Sequence, residues 1–205
     1  MKIYIHISVL TFHTANEDEG LWYTFYMRHN IVHLIRGEAK IKHHSVMNDL
    51  ANKFGISPFY EHMPSHLTLK RGFESDEVDM TDLYERLDTF ATTHTSSDYS
   101  LTGWGQFPEK AIYIDVVATE QMSNTVAVLL NCIRNMPGMN FHKYDNGAEF
   151  HASVAMSVFQ PFDFSKVWDY LQTIEQPDFK MKFDNIATLK KVDDKWVVGK
   201  IWELN

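Results

Sequence analysis

The feature that most constrains the fold of this chain is a pair of short matching motifs, His66 to Leu69 (His-Leu-Thr-Leu) and His151 to Val154 (His-Ala-Ser-Val). Each motif has a histidine, a variable residue, a small hydroxyl residue and an apolar residue. Because alternate side chains of a strand share a face, each motif predicts a strand that presents an imidazole and a hydroxyl together. Two such strands side by side would form a small catalytic cleft.

The residues around the two motifs predict a similar order of elements in each half of the chain. A helix, a loop, the motif strand and a second helix follow one another, and further strands complete each half. This order predicts two pseudo-symmetric halves of one domain. The predicted helices are Ser45 to Phe54 (capped by Ser45 and ended by Gly55), Asp79 to Thr93, Gln121 to Met136 and Phe164 to Ile174; the predicted strands are Lys2 to Leu10, Leu21 to Met27, Ser65 to Gly72, Tyr99 to Phe107, Ala111 to Thr119, Glu149 to Phe159, Phe179 to Val192 and Lys195 to Leu204.

Composition excludes several classes of function. The single cysteine, Cys132, rules out an intrachain disulfide and a cysteine-rich zinc site. No apolar run approaches the ~18 residues of a membrane span, and no cleavage site follows the N-terminal segment, which predicts a cytosolic protein. A net charge of −8 disfavours binding to duplex DNA or long RNA, because such binding neutralises many phosphates. A small anionic substrate remains compatible with this charge.

The motif alone is not specific, because His6 and His43 begin the same pattern. His43 falls just before the predicted helix, where Ser45 is better explained as its cap. His6 is the stronger rival, since it too lies on a predicted strand. Context favours His66 and His151, which occupy equivalent places in the two halves. The competing interpretation is that both are half-buried structural histidines.

The paired motifs and the closing hairpin (Lys182 to Leu204) resemble the two-histidine (2H) phosphoesterase superfamily, which includes RNA ligase-like 2′,3′-cyclic phosphodiesterases and 2′,5′-phosphodiesterases. The resemblance runs from about residue 45 to the C-terminus, and residues 1–44 match less clearly. Either Lys2 to Leu10 or Leu21 to Met27 would be the opening strand. The resemblance implies a single bilobal α+β domain over residues 1–205, with antiparallel sheets lining a central cleft, helices outside, and no required metal or cofactor.

The residue types of the motifs suit phosphodiester chemistry. One histidine would remove a proton from the attacking oxygen and the other would protonate the leaving oxygen. The hydroxyls of Thr68 and Ser153 would hydrogen-bond the non-bridging phosphate oxygens. Which of His66 and His151 is the base stays open at this point.

Other positions are secondary candidates for substrate binding. Lys70 shares the face of His66 and Thr68 by period two, so it is a candidate phosphate contact. Lys143 and Tyr144 precede the second motif, where they would contact phosphate or stack on a base. Trp104 and Phe107 are further candidates for stacking, although core packing is favoured for both.

The main alternative to two-histidine catalysis is catalysis at a metal site. His29 and His33 have the spacing of one helical turn, and so do His62 and His66. Pro64 disfavours a helix over the second pair. No adjacent glutamate or obvious third ligand accompanies either pair, so a metal hydrolase is disfavoured.

The sequence therefore predicts a metal-independent phosphodiesterase, a hydrolase or transesterase, that acts on a small nucleotide or short RNA. The candidate substrates are a 2′,3′-cyclic phosphate, a 2′,5′-linked oligonucleotide and a cyclic oligonucleotide. The alternative is a non-catalytic nucleotide- or RNA-binding module with the same cleft. A third interpretation, an interaction domain with accidental motifs, predicts that the two histidines lie far apart.

Overall fold

The computed structural model describes residues 27–143, 145 and 149–205. The predicted strand Lys2 to Leu10, with the rival His6, lies outside the described residues. So does the predicted strand Leu21 to Met27, apart from Met27 itself, and so does Tyr144.

The described part of the chain contains eight strands and four α-helices, and one 3₁₀ turn (Phe59–Glu61) precedes the first motif. In chain order the elements are β1 (Arg28–Leu34), α1 (Gly37–Phe54), β2 (His66–Glu74), α2 (Met80–Thr93), β3 (Ser97–Phe107), β4 (Ala111–Ala118), α3 (Glu120–Ile133), β5 (His151–Met156), α4 (Phe164–Thr173), β6 (Asp178–Phe183), β7 (Asn185–Val192) and β8 (Lys195–Glu203).

The strands form two four-stranded antiparallel sheets. The first sheet has the order β2-β1-β7-β8 and the second has the order β5-β4-β3-β6. Each half of the chain contributes to both sheets. After α2 the chain enters the second sheet as β3, and near its end it returns to the first sheet, where β7 pairs with β1. The halves are thus interlocked, and the α+β architecture implied by the family resemblance is confirmed.

One continuous apolar cluster fills the interior and takes side chains from both sheets. Each of the first three helices contributes buried apolar residues at helical spacing, as an amphipathic helix requires. These residues are Ala39, Val46, Met47 and Leu50 in α1, Leu83, Leu87 and Phe90 in α2, and Met122, Val126, Leu129, Leu130 and Ile133 in α3. A shared core makes the position of one sheet depend on the other.

Helix α1 begins eight residues earlier than the capping signal at Ser45 indicates, at Gly37, so that prediction is wrong. The N-cap position belongs to Arg36, which makes no side-chain capping hydrogen bond, so this helix start carries no capping signal in the sequence. The predicted stop at Gly55 is confirmed, with φ at +68° in the left-handed region. The helix predicted over Asp79 to Thr93 is confirmed as α2, and Asp79 is its N-cap, since its carboxylate accepts from the amides of Thr81 and Asp82.

One strand lies in a segment for which the sequence predicts no element, and one strand prediction needs correction. The first strand of the described chain is Arg28–Leu34, a segment without the alternation of a half-exposed strand, because every residue after Arg28 is buried. The predicted strand Phe179 to Val192 divides at Asp184 into β6 and β7, which enter different sheets. The closing hairpin of β7 and β8 is as predicted.

Candidate active site

The two motif strands are edge strands of different sheets and lie against each other. The burial pattern is identical over the first five residues of β2 and of β5. In each strand the histidine and the hydroxyl residue are half-buried, and the apolar residues between and after them are buried. His66, Thr68, His151 and Ser153 therefore follow the period-two arrangement that the sequence predicts, at the place where the two sheets meet.

A bulge follows the hydroxyl residue in both motifs. In the first sheet the partner of Val32 is Thr68 while the partner of Ile31 is Lys70, so Leu69 is an extra residue. In the second sheet Val154 is extra in the same way, because Tyr113 pairs with Ser153 and Ile112 with Ala155. A bulge bends the strand and interrupts its alternation. The two motifs are thus equivalent in their backbone as well as in their side chains.

The imidazole of His66 is oriented by a backbone carbonyl. Its Nδ1 lies 2.6 Å from the oxygen of Pro64. A carbonyl can only accept, so Nδ1 carries the hydrogen and Nε2 of the neutral ring keeps its lone pair. Burial lowers the pKa of His66, and the hydrogen bond to Pro64 opposes this change in part. His66 is therefore a neutral imidazole with a free basic nitrogen at neutral pH.

His151 is packed among aromatic rings beside charged groups. The ring of Phe107 lies edge-on at 5.1 Å between centroids, and that of Tyr113 lies at 5.0 Å. The pKa of His151 is lowered to about 4, mainly by burial and then by the charge of Arg71 and by repulsion from the protonated form of His66, while Asp115 opposes the shift. His66 and His151 are the first residues of β2 and β5, and these two strands contact each other.

Tyr113 and Phe107 form an aromatic wall next to His151, with their ring centroids 4.8 Å apart. Tyr113 on β4 is the register partner of both Gly105 and Ser153. A Cβ atom at Gly105 would come within 2.1 Å of the Tyr113 ring, so glycine allows the ring to lie against the strand. Of the two aromatic candidates from the sequence, Phe107 lies in this wall and Trp104 packs against the core.

Lys70 is buried in an ion pair instead of lining the cleft. Its ammonium group lies 3.1 Å from a carboxylate oxygen of Asp145 and donates to the carbonyl of Arg71, and both side chains of the pair are 1% exposed. The bulge at Leu69 interrupts the alternation by which Lys70 was expected to share the face of His66. In the structure Lys70 is therefore a buried partner of Asp145.

The loop before the second motif is attached to β2 through Asp145. Its carboxylate accepts from the backbone amides of Arg71 and His142, in addition to its ion pair with Lys70. Lys143 lies exposed on this loop. Arg71, an exposed residue whose charge acts on His151, was missed by sequence reasoning; the only signal was a basic residue directly after the first motif.

The metal alternative finds no support in the described part of the chain, where no group of three or more histidine, cysteine, aspartate or glutamate side chains is placed to hold an ion. His29 and His33 lie on strand β1, so the helical spacing assumed for them does not apply. The ring of His33 forms hydrogen bonds with the Asn185 carbonyl and with the Tyr99 hydroxyl. His62 ends the 3₁₀ turn, outside any regular helix with His66.

The fold that carries this cleft is shared with solved structures that include LigT of E. coli and a structure described as a phosphoesterase. Solved structures with the same fold share 15% identity or less with the chain, so the similarity concerns fold alone. No protein-family model and no curated protein matches the sequence. Across the described residues, no helix is both long and apolar enough to cross a membrane.

Among the similar structures is apo LigT of E. coli, with a TM-score of 0.55, 15% identity, and alignment over 88% of this chain and 98% of LigT. TT0787 of Thermus thermophilus has a TM-score of 0.53 and 14% identity, over 86% of this chain and 97% of that one. A structure described as a phosphoesterase has a TM-score of 0.55 and 12% identity, over 88% and 99%. The chain therefore has nearly the whole of this fold.

Proposed function

We propose that this protein is a metal-independent phosphodiesterase that cleaves a small nucleotide substrate by acid–base catalysis with His66 and His151. The observation that carries the proposal is the meeting of two equivalent motif strands, each with a bulge at the same position and a histidine on the cleft side. Such a pair of histidines can act as base and acid on opposite sides of one phosphorus atom.

The hydrogen bonding of His66 favours it as the base. For a 2′,3′-cyclic phosphate, Nε2 of His66 would take a proton from water as the water oxygen attacks phosphorus. The bond from phosphorus to one ribose oxygen breaks, and His151 gives that oxygen a proton. Proton exchange with solvent then restores both histidines. With attack in the reverse direction the two roles exchange.

Substrate binding would favour protonation of His151, with the proton taken from solvent. In the free protein the pKa of His151 is about 4, so the ring is neutral at pH 7. A phosphodiester carries a negative charge, and an adjacent opposite charge raises a histidine pKa. The hydroxyls of Thr68 and Ser153 would bind the non-bridging oxygens, where charge accumulates during attack.

The surroundings of His151 favour a nucleotide over a simple phosphodiester. The wall of Phe107 and Tyr113 offers an aromatic face for a base, a contact worth about 1–3 kcal/mol per base in other proteins. Arg71 adds positive charge on the same side, and Lys143 lies on the adjoining loop. E. coli LigT has been crystallised with 3′-AMP, in a structure with a TM-score of 0.51 and 15% identity to this chain.

Turnover of a substrate panel tests the proposal. Wild type, His66→Ala and His151→Ala would be assayed with 2′,3′-cyclic nucleotides, 2′,5′-oligonucleotides and cyclic dinucleotides, followed by product analysis. We expect wild type to cleave at least one class with or without chelator, and each variant to lose about 10²- to 10⁴-fold in rate. His94→Ala is the matched control, because His94 stacks on Phe90 of its own helix.

Three results would contradict the proposal. Full activity in either motif variant would exclude the acid–base pair. Loss of wild-type activity in chelator would indicate a metal enzyme. Tight binding of a 2′,5′-oligonucleotide that is recovered uncut, with no turnover in the panel, would indicate the alternative, a non-catalytic binding module.

A further inference from the structure

We infer that a third histidine, His43 of α1, is a positioning residue that holds the two motif strands at a fixed separation. The inference rests on the proposed function of the cleft, and it assigns His43 no contact with substrate. The sequence places His43 just before the predicted cap Ser45 and gives no sign of this role.

His43 bridges the two motifs directly. Its side chain is 2% exposed. Nδ1 lies 2.8 Å from Oγ of Ser65, the residue before His66, and Nε2 lies 2.9 Å from the backbone oxygen of Ser153 in the second motif. One imidazole therefore connects the beginning of β2 to the middle of β5.

The chemistry of the partners fixes the direction of each hydrogen bond. The Ser153 carbonyl can only accept, so Nε2 of His43 carries the hydrogen and Nδ1 accepts from the hydroxyl of Ser65. The Ser65 oxygen then accepts from Nε2 of His44, 3.0 Å away. The result is one chain of hydrogen bonds, in which His44 donates to Ser65, Ser65 to His43 and His43 to Ser153. The partners fix the position of each proton in this chain.

This chain requires a neutral ring at His43, and the environment provides one. Burial, together with repulsion from the protonated forms of His44 and His66, lowers the pKa of His43 to about 4 against the opposing hydrogen bond to Ser153. At pH 7 the ring therefore keeps the lone pair that accepts from Ser65.

The bridge matters because the motif strands lack a shared backbone ladder. Among the described strands, β2 pairs with β1 and β5 pairs with β4, and the two belong to different sheets. The separation of His66 and His151 depends on packing and on side-chain links between the sheets. A displacement of about 1 Å at a catalytic group can lower a rate by about 100-fold.

The kinetic test compares His43→Leu, which removes both hydrogen bonds, with His43→Gln, whose amide can still donate to the Ser153 carbonyl. We expect kcat of His43→Leu to fall by about tenfold or more with little change in KM, and His43→Gln to recover part of the loss. Ser65→Ala removes the hydrogen bonds of Ser65 with His43 and His44 but keeps the bond from His43 to Ser153, and we expect a smaller fall in kcat. This variant keeps the test decisive if His43→Leu does not fold.

A second readout does not depend on activity. Histidine NMR titrations would measure how far His66→Gln raises the pKa of His151, first in the wild-type background and then with His43→Leu or Ser65→Ala. We expect the effect to shrink when the bridge is removed. Unchanged kcat in a folded His43→Leu protein, or an unchanged effect of His66 on His151, would overturn the inference. Absence of wild-type turnover would instead refute the proposed function, and the titration would still decide the role of His43.

Discussion

At the scale of single residues, the cleft is built from groups whose ionisation depends on a few neighbours. His151 is the clearest case, since burial, Arg71 and His66 all lower its pKa while Asp115 raises it. Arg71 is an exposed residue of β2, and its charge is the largest of the neighbouring charges that lower this pKa. Its contribution to the acid–base chemistry can therefore be measured separately from that of the imidazole.

We predict that Arg71→Met raises the pKa of His151 above its value of about 4, because a positive charge that disfavours the protonated ring is removed. The group whose protonation limits kcat/KM in the free enzyme should titrate at higher pH in the same variant. Arg71→Lys keeps the charge and is the control. NMR titration of His151 together with the pH profile of kcat/KM checks both effects, and identical titrations in Arg71→Met and wild type would contradict the assignment.

At the scale of elements, the alternation of the motif strands was predictable from the sequence, and so were helix α2 and the closing hairpin. Two other features were not. Strand β1 is buried on both faces and shows no alternation, and the bulge after Thr68 moves Lys70 from its expected face into the interior. Bulges depend on the pairing of two strands, which a pattern within one strand does not contain.

We predict that Lys70→Met destabilises the protein by about 3 kcal/mol, because it leaves the Asp145 carboxylate buried without its ion-pair partner. The loop that carries Lys143 should also lose part of its attachment to β2, since only the hydrogen bond from the Arg71 amide to Asp145 would remain. Chemical denaturation would measure the free energy of unfolding. Lys166→Met is the control, since the Lys166–Asp163 pair is largely exposed and its loss should have almost no effect. Equal stability of the two variants would contradict a structural role for Lys70.

At the scale of the whole molecule, buried histidines link parts that are distant in the sequence. His33 on β1 accepts from the Tyr99 hydroxyl on β3 through Nε2, at 3.0 Å, and donates to the Asn185 carbonyl through Nδ1, at 2.9 Å. The bond to Tyr99 joins the first sheet to the second, as the His43 bridge joins the two motifs. The sequence shows eleven histidines but not which of them are buried links, because that depends on contacts between remote segments.

We predict that these links make the fold sensitive to mild acid. Burial lowers the pKa of both His33 and His43 from 6.5 to about 4. Between those values the unfolded chain binds protons that the folded protein does not, so stability falls as the pH is lowered from about 6.5 to about 4. Urea midpoints across this range should fall steadily, and a constant midpoint would show that neither ring is buried in its neutral form.

The crystal structure of the protein with bound 3′-AMP would test the central claim most directly. We predict that the phosphate lies between the two motifs, with Nε2 of His66 and a ring nitrogen of His151 each about 3 Å from a different phosphate oxygen. The hydroxyls of Thr68 and Ser153 should contact the remaining oxygens. A phosphate bound outside the cleft, or within reach of only one of the two histidines, would contradict the two-histidine mechanism.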